Sequence, residues 1–267
     1  MAHFDVFNGD ADGLCALHQL RLATPLDATL ITGVKRDIAL LGRMPAVAGD
    51  AVTALDVSLD VNRVALLALL ERGVSVTYFD HRGSGQVPQH ARLHAFIDTA
   101  PNVCTGMLVD RHLGRAHRVW AVVAAFGDNL ARAAEKLAQP LALEPGQLIA
   151  LQQLGECPNY NDYGDSEADL IVHPAILYRI LHRHADPYSF IREEPLFQTI
   201  REARDRDLEM AGRIRPRAPL ATLCGADRLC RLFPSGGGHA AAAGINHLAP
   251  DRLSAFVQAF EQAFRTS

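Results

Sequence analysis

Residues 8–13, Asn-Gly-Asp-Ala-Asp-Gly, are the stretch of this sequence best suited to binding a metal ion. They follow a short apolar run and precede a helical pattern rich in leucine. The carboxylates of Asp10 and Asp12 suit a divalent cation, because hard cations prefer carboxylate oxygens. Gly9 and Gly13 permit a turn between them and let a helix begin close by. An Asx-rich turn that caps a helix fits the same residues, since aspartate is a favoured N-cap.

Further acids follow predicted strands. Apolar runs of strand character end at Asp10, Asp56 and Asp80. Helical patterns separate these runs, which predicts an α/β domain with a mainly parallel sheet and flanking helices. Ligands bind outside the carboxyl ends of the strands in an open parallel sheet, so the three acids would share one edge if their strands are neighbours.

Two more residues extend this acidic set. His81 directly follows Asp80, and Asp128 follows a strongly apolar run over residues 119–126. An imidazole oriented by neighbouring groups is a common metal ligand. Four carboxylates and one imidazole would hold two cations around a bridging carboxylate. That arrangement serves the in-line attack of a metal-bound hydroxide on phosphorus.

With these motifs in this order, the sequence resembles the DHH family of phosphoesterases. This family includes RecJ-like exonucleases, phosphodiesterases of nanoRNA and cyclic dinucleotides, and manganese-dependent inorganic pyrophosphatases. Residues 10–13 resemble the first motif, Asp56 the second, residues 80–82 (Asp-His-Arg) the third, and Asp128 the fourth. Residues 235–239, Ser-Gly-Gly-Gly-His, resemble the glycine signature of the DHH-associated C-terminal domain.

The resemblance implies a hydrolase that acts on a small nucleotide or short oligonucleotide. It would use two divalent ions, Mn²⁺ or Mg²⁺. Asp56 would bridge the ions, with Asp10 on one ion and the remaining ligands, Asp12, His81 and Asp128, on the other. Asp80 would orient His81 or lie behind the ligands. The catalytic set would be Asp56, Asp80, His81 and Arg82. The substrate's phosphate would meet Arg82, Gly236, Gly237, Gly238 and His239.

Two motifs depart from the family pattern. Val6 and Asn8 fill the region where a histidine usually precedes the first aspartates, so one ion would have fewer protein ligands. Arg82 replaces the second histidine of the third motif. A guanidinium does not release its proton at neutral pH but binds phosphate bidentately, so we assign Arg82 to phosphate binding.

These departures leave a second hypothesis open, a catalytically weakened protein that binds a nucleotide or phosphate on the same scaffold. A Rossmann-type cofactor binder fits poorly, because Gly-x-Gly-x-x-Gly does not follow the first predicted strand. The glycines of residues 236–238 would fit a hinge as well as a phosphate site. We favour the phosphate site, because glycines that lead into a helix expose N–H groups to an anion.

A chain of 267 residues and 29.0 kDa has room for one large and one small domain. We expect a DHH phosphoesterase domain over residues 1–194 and a charged helical linker over residues 195–217. A short α+β C-terminal domain that carries the glycine motif would follow over residues 218–267. A net charge of −4 argues against a long nucleic-acid track, which needs a basic face.

Other features predict a cytoplasmic protein that does not enter a membrane. The sequence has no uncharged apolar run of 18 residues or more and no apolar leader. Its five cysteines form no close-spaced pair, which is typical of reduced thiols.

Three predictions concern less specific positions. The polar aromatic stretch over residues 156–169 predicts a loop, either a surface connection or a substrate contact. His90 and His94 have the spacing of a metal pair on a helix, but we favour solvated side chains, because no acid cluster accompanies them. His182 and His184 are expected at the surface.

Overall fold

A computed structural model describes residues 1–164, 166–214, 226–234, 236–239, 242–245 and 248–264. The chain divides into two compact units, Met1–Leu208 and Glu209–Ser267. Among the described residues, no helix is both long enough and apolar enough to cross a membrane.

A parallel sheet of five strands forms the centre of the first unit. The strands are β1 (His3–Phe7), β2 (Thr29–Ile31), β3 (Ala51–Leu55), β4 (Ser75–Asp80) and β5 (Leu93–Ile97). Their order is β2-β1-β3-β4-β5, and every pair of neighbours is parallel. The predicted α/β fold with a mainly parallel sheet is therefore confirmed. β1, β3 and β4 are adjacent, so the acids at their carboxyl ends lie along one edge.

Helices cover both faces of this sheet. They are α1 (Ala11–Ala23), α2 (Leu59–Glu71), α3 (Thr105–His112), α4 (Arg118–Gly127), α5 (Ala131–Ala138), α6 (Pro145–Asp162), α7 (Pro174–Leu181), α8 (Pro187–Glu193) and α9 (Pro195–Ile214). One core contains Phe7 and Trp120, and a second contains Val6 and Tyr78. Val6 and Phe7 enter different cores because successive strand residues point to opposite faces. A sheet buried on both faces explains why its central strands are rich in apolar residues.

The predicted loop over residues 156–169 is wrong in its first half, because α6 continues to Asp162 with Pro158 inside it. Proline and clustered polar residues normally end a helix. Here tertiary contacts offset that tendency: Asn159 accepts a hydrogen bond from Ala11 N at 2.9 Å and donates to Gly127 O. Asn161 pairs with the backbone of Val172 in the same way, at 2.9 and 3.0 Å.

The structure decides two predictions about histidines. His94 lies in β5, so it shares no helix face with His90, and both side chains are exposed, as the favoured interpretation as solvated histidines requires. His184 is buried rather than exposed, and its Nε2 lies 2.7 Å from Glu194 Oε1. His182 is half-buried against His18. The error for His184 arises from contacts between distant segments that the local sequence does not encode.

The described residues of the second unit form the end of α9, a short antiparallel pair and two further α-helices. After α9 come α10 (Ala226–Cys230), β6 (Gly236–His239), β7 (Ala242–Ile245) and α11 (Leu253–Phe264). Phe233 and Phe256 meet edge to face, with ring centroids 5.6 Å apart. The division between the units falls within α9, and the predicted boundaries at residues 194 and 217 stay predictions.

Candidate metal centre

The turn between β1 and α1 fixes the first two acids. Asp10 is the N-cap of α1, and its Oδ1 accepts hydrogen bonds from Asp12 N and Gly13 N, both at 3.1 Å. A Cβ at Gly13 would lie 2.2 Å from Asn8 O, so the turn needs glycine for lack of space. The capping turn and the acidic pair are thus one structure, which points the carboxylates toward the strand ends.

Asp56 is the first residue after β3, and its side chain is fully buried. Its φ of 57° is left-handed, a conformation that costs energy for a residue other than glycine and that recurs at functional sites. Asp80 is the last residue of β4, and its oxygens accept from Leu59 N and Arg82 N, both at 3.1 Å. Asp80 therefore holds the backbone of Leu59 and Arg82 in place near the site.

His81 lies among three carboxylates. Its Nε2 is 3.3 Å from Asp56 Oδ1, 3.9 Å from Asp12 Oδ2 and 3.8 Å from Asp128 Oδ2. Donor atoms of Asp12, His81 and Asp128 all lie within 4.8 Å of one another. The Nε2 atom is buried and forms no hydrogen bond of acceptable geometry. One imidazole nitrogen among carboxylate oxygens is a set of donor atoms that suits a divalent cation.

The N-terminus of α3 holds Asp12 in this cluster. Thr105 N donates to Asp12 Oδ2 and Gly106 N donates to Asp12 Oδ1, each at 2.7 Å. Thr105 Oγ1 also donates to Asp56 Oδ1 at 3.2 Å. The positive end of the helix dipole supports the carboxylate. The sequence analysis missed Thr105, because nothing in the local sequence marks it except the start of a helical pattern.

Two basic side chains contact the acids. Arg82 Nη1 lies 2.6 Å from Asp56 Oδ1, and Lys35 Nζ lies 2.8 Å from Asp10 Oδ2. Asp10 therefore does not belong to the cluster around His81, because Asp10 Oδ2 is paired with Lys35. Phosphate binding by Arg82 stays a prediction. Lys35 carries no signal in the sequence that marks it as part of this centre.

Burial and neighbouring charges shift the pKa values of the residues around His81. Burial, and then the charge of Asp56, raises the pKa of Asp12 well above its usual range. Burial raises the pKa of Asp128 to about 6, although the charge of His81 opposes this shift. Burial disfavours the charged form of His81, but the carboxylates of Asp56, Asp12 and Asp128 raise its pKa to about 9. A bound cation would favour ionised acids and a neutral imidazole, so the residues fit a metal centre.

Asp162, the last residue of α6, was also missed by the sequence analysis. Both of its carboxylate oxygens are buried without a hydrogen-bond partner. Burial and the charge of Asp10 raise the pKa of Asp162 to about 8, despite the opposing charge of Lys35. The predicted phosphate-binding residues 236–239 form strand β6, which pairs with β7, so the expectation that these glycines lead into a helix is wrong. Their function in phosphate binding stays a prediction.

The fold and the site together define an α/β protein with a carboxylate-rich centre at the carboxyl edge of a parallel sheet. No family model matches the sequence, and no curated protein matches it significantly. Solved structures do match. A pGpG-specific phosphodiesterase from Vibrio cholerae, PggH, has 14% identity and a TM-score of 0.56, and the match covers 99% of each chain.

A DHH domain from a member of a family of ribosomal proteins has 12% identity and a TM-score of 0.53. That match covers 98% of this chain and 86% of the other. RecJ from Thermus thermophilus, in complex with Mn²⁺, has 19% identity and a TM-score of 0.49. The match covers 98% of this chain but 52% of RecJ, so the chain spans about half of that protein. The first two likenesses show that this chain has the fold of DHH domains.

Proposed function

We propose that this protein is a divalent-metal-dependent phosphoesterase that hydrolyses a small nucleotide or short oligonucleotide. The observation that carries the proposal is the convergence of His81 Nε2 with the carboxylates of Asp12, Asp56 and Asp128, at 3.3 to 3.9 Å. Carboxylates held this close in a buried site repel one another, and a bound cation would relieve that repulsion.

Asp12, His81 and Asp128 would hold one ion, and Asp56 would bridge to a second ion near Asp10. Carboxylate oxygens with one imidazole favour Mn²⁺, with Mg²⁺ as the alternative. The bound cations would supply activation of water and neutralise charge on the phosphate.

Arg82 has the chemistry to bind the substrate. Its guanidinium neutralises Asp56 at 2.6 Å. A cation at Asp56 would take over that neutralisation, and the planar guanidinium would then meet two phosphate oxygens. The backbone N–H groups of residues 236–239 would bind a second phosphate or the nucleotide end.

The substrate we expect carries few phosphates, because the net charge of −4 disfavours a long polyanion. The structural neighbour named as a pGpG-specific phosphodiesterase makes a linear dinucleotide the first substrate to test. We further propose that the protein works in the cytoplasm. Buried free thiols at Cys15, Cys104 and Cys157 support a reducing compartment.

The test compares hydrolysis of pGpG and bis-p-nitrophenyl phosphate with Mn²⁺ in wild type and Asp56→Asn. This change keeps the shape of the side chain and removes its charge. We expect kcat/KM to fall at least about 100-fold, the upper end of the loss seen on removing outer-shell partners of metal ligands. Asp60→Asn, at an exposed aspartate of α2, is the matched control and should retain wild-type rates.

Equal rates in wild type and Asp56→Asn, or hydrolysis that persists in EDTA, would contradict the proposal. Tight binding of pGpG without turnover over many hours would instead support the weakened binding protein.

A further inference from the structure

Asp162 is an unusual buried acid that no sequence motif marks. Its side chain lies at the end of α6, the residue is 0% exposed, and neither carboxylate oxygen has a hydrogen-bond partner. Protein interiors rarely leave a carboxylate in this state, because an unpaired buried acid is costly. Its surroundings should therefore supply a partner under working conditions.

The position of Asp162 indicates which partner that is. A Cβ at Gly9 would lie 2.7 Å from Asp162 Oδ1, so the carboxylate touches the backbone immediately before Asp10. Lys35 N donates to the main-chain oxygen of Asp162 at 3.3 Å, while Lys35 Nζ pairs with Asp10. Asp162 thus lies on the Asp10 side of the centre.

This side of the centre lacks an imidazole. The nearby positions 6 and 8 are valine and asparagine, and Asn8 Oδ1 lies 3.4 Å from Asp10 N. Asp10 and the bridging Asp56 alone would leave an ion there with few protein ligands. An oxygen from Asp162 would add one, and an all-oxygen set suits Mn²⁺ or Mg²⁺.

We propose that Asp162 is an oxygen ligand of the divalent cation on the Asp10 side, a position that α6 supplies in place of a histidine from β1. This inference rests on the proposed function. It also gives Lys35 a function: its ammonium holds Asp10 until a cation competes for the same carboxylate.

The experiment measures Mn²⁺ binding rather than turnover. Free Mn²⁺ is followed by electron paramagnetic resonance during titration of wild type and Asp162→Asn. We expect two ions in wild type, and in the variant a loss of affinity of at least about 10-fold for one of them. The matched control is Asp110→Asn, at a buried aspartate that also has an unpartnered oxygen but pairs with Arg118. The control should bind both ions as wild type does.

Thermal unfolding separates a ligand from a structural residue. If Asp162 is a ligand, Asp162→Asn should melt at the wild-type temperature or higher without metal, because an unpartnered acid has been removed. Its rise in Tm on adding Mn²⁺ should be smaller than in wild type. A structural residue would give a lower metal-free Tm and a full rise with Mn²⁺, which would overturn the inference. Asp162→Ala takes the place of the amide variant if that variant does not fold.

The outcomes distinguish this inference from the proposed function. Wild-type affinity for both ions in Asp162→Asn, together with normal Mn²⁺-dependent hydrolysis in wild type, overturns the role of Asp162 alone. A wild-type protein that binds no Mn²⁺ and hydrolyses neither substrate overturns both.

Discussion

Asp56 combines a strained backbone conformation with a buried, charged side chain. Burial favours its neutral form, but Arg82 and His81 hold the pKa of Asp56 below its usual range. The carboxylate therefore stays ionised at neutral pH while fully enclosed. An ion that binds there must compete with the Arg82 guanidinium, so metal binding and the release of Arg82 toward a phosphate would be linked events.

His18 carries the residue-scale prediction. This histidine of α1 is buried, with Nε2 3.0 Å from His184 O and Nδ1 3.0 Å from His182 Nδ1. Burial, and then the charge of His182, lowers the pKa of His18 to about 3 from the usual 6.5. Between these pH values the unfolded chain binds a proton that the folded chain does not, so stability falls as the pH falls below 6.5. From this group we expect a loss of about 2 kcal/mol between pH 7 and pH 5.

Urea unfolding at both pH values measures this effect. His18→Gln should show a weaker fall in the free energy of unfolding between pH 7 and pH 5 than wild type. The exposed His90, changed to glutamine, should leave the wild-type slope intact. An identical slope in wild type and His18→Gln would show that His18 does not titrate on unfolding.

Individual residues also show how much of the site can be predicted from the sequence. Asp10, Asp56 and Asp80 were predicted to share an edge because each follows an apolar run that reads as a strand. Lys35, Thr105 and Asp162 were not found, because they reach the centre from a loop, a helix start and a helix end. Only tertiary packing brings those segments together, and no local pattern encodes it.

At the scale of elements, α4 and α6 are held in backbone contact. A Cβ at Gly155 would lie 2.5 Å from Val123 O and 2.7 Å from Gly127 N. Gly127 is the last residue of α4, and Asp128 is its C-cap. The close approach therefore fixes where α4 ends and where the Asp128 carboxylate stands.

Gly155→Ala tests this coupling. The added methyl group must push the helices apart, so we expect a loss of about 1–3 kcal/mol in the free energy of unfolding. We also expect weaker Mn²⁺ binding, since Asp128 would shift with the end of α4. Urea unfolding and a Mn²⁺ titration give the two readouts.

Gly146→Ala, in the first turn of the same helix, is the control. No atom lies within 4 Å of its added Cβ, so the change should keep or slightly raise stability. Equal stability of the two alanine variants would refute the close approach of α4 and α6.

The elements differ in how well the sequence predicts them. β1, β3 and β4 are buried on both faces and read clearly as apolar runs. β5 alternates between half-buried and exposed positions, and it was missed because His94 and the polar residues before it resemble a loop. The end of α6 was missed because Pro158, Asn159 and Asn161 are unfavourable in a helix. Asn159 is satisfied by α1 and α4, and Asn161 by the backbone of Val172, and these partners are distant in the sequence.

At the scale of the whole molecule, the proposed phosphate-binding residues are divided between the two units. All proposed metal ligands, including Asp162, lie in the first unit, Met1–Leu208, together with Arg82. The glycine motif of residues 236–239 lies in the second unit, Glu209–Ser267. Truncation after the first unit should therefore keep metal binding and remove only the substrate contacts of the glycine motif.

A fragment of residues 1–214, which keeps α9 whole, provides the last prediction. Because it contains both apolar cores and every proposed ligand, we expect it to fold cooperatively and to bind Mn²⁺ within about 3-fold of the full chain. Without the glycine motif, its kcat/KM for pGpG should fall at least about 100-fold, because the substrate loses one set of phosphate contacts. Urea unfolding, the Mn²⁺ titration and the hydrolysis assay are run on the fragment and on the full chain. The fragment that carries Asp56→Asn is the negative control for hydrolysis. If the fragment is as active as the full chain, the glycine motif does not bind substrate. If the fragment folds but does not bind Mn²⁺, the metal ligands are not all in the first unit.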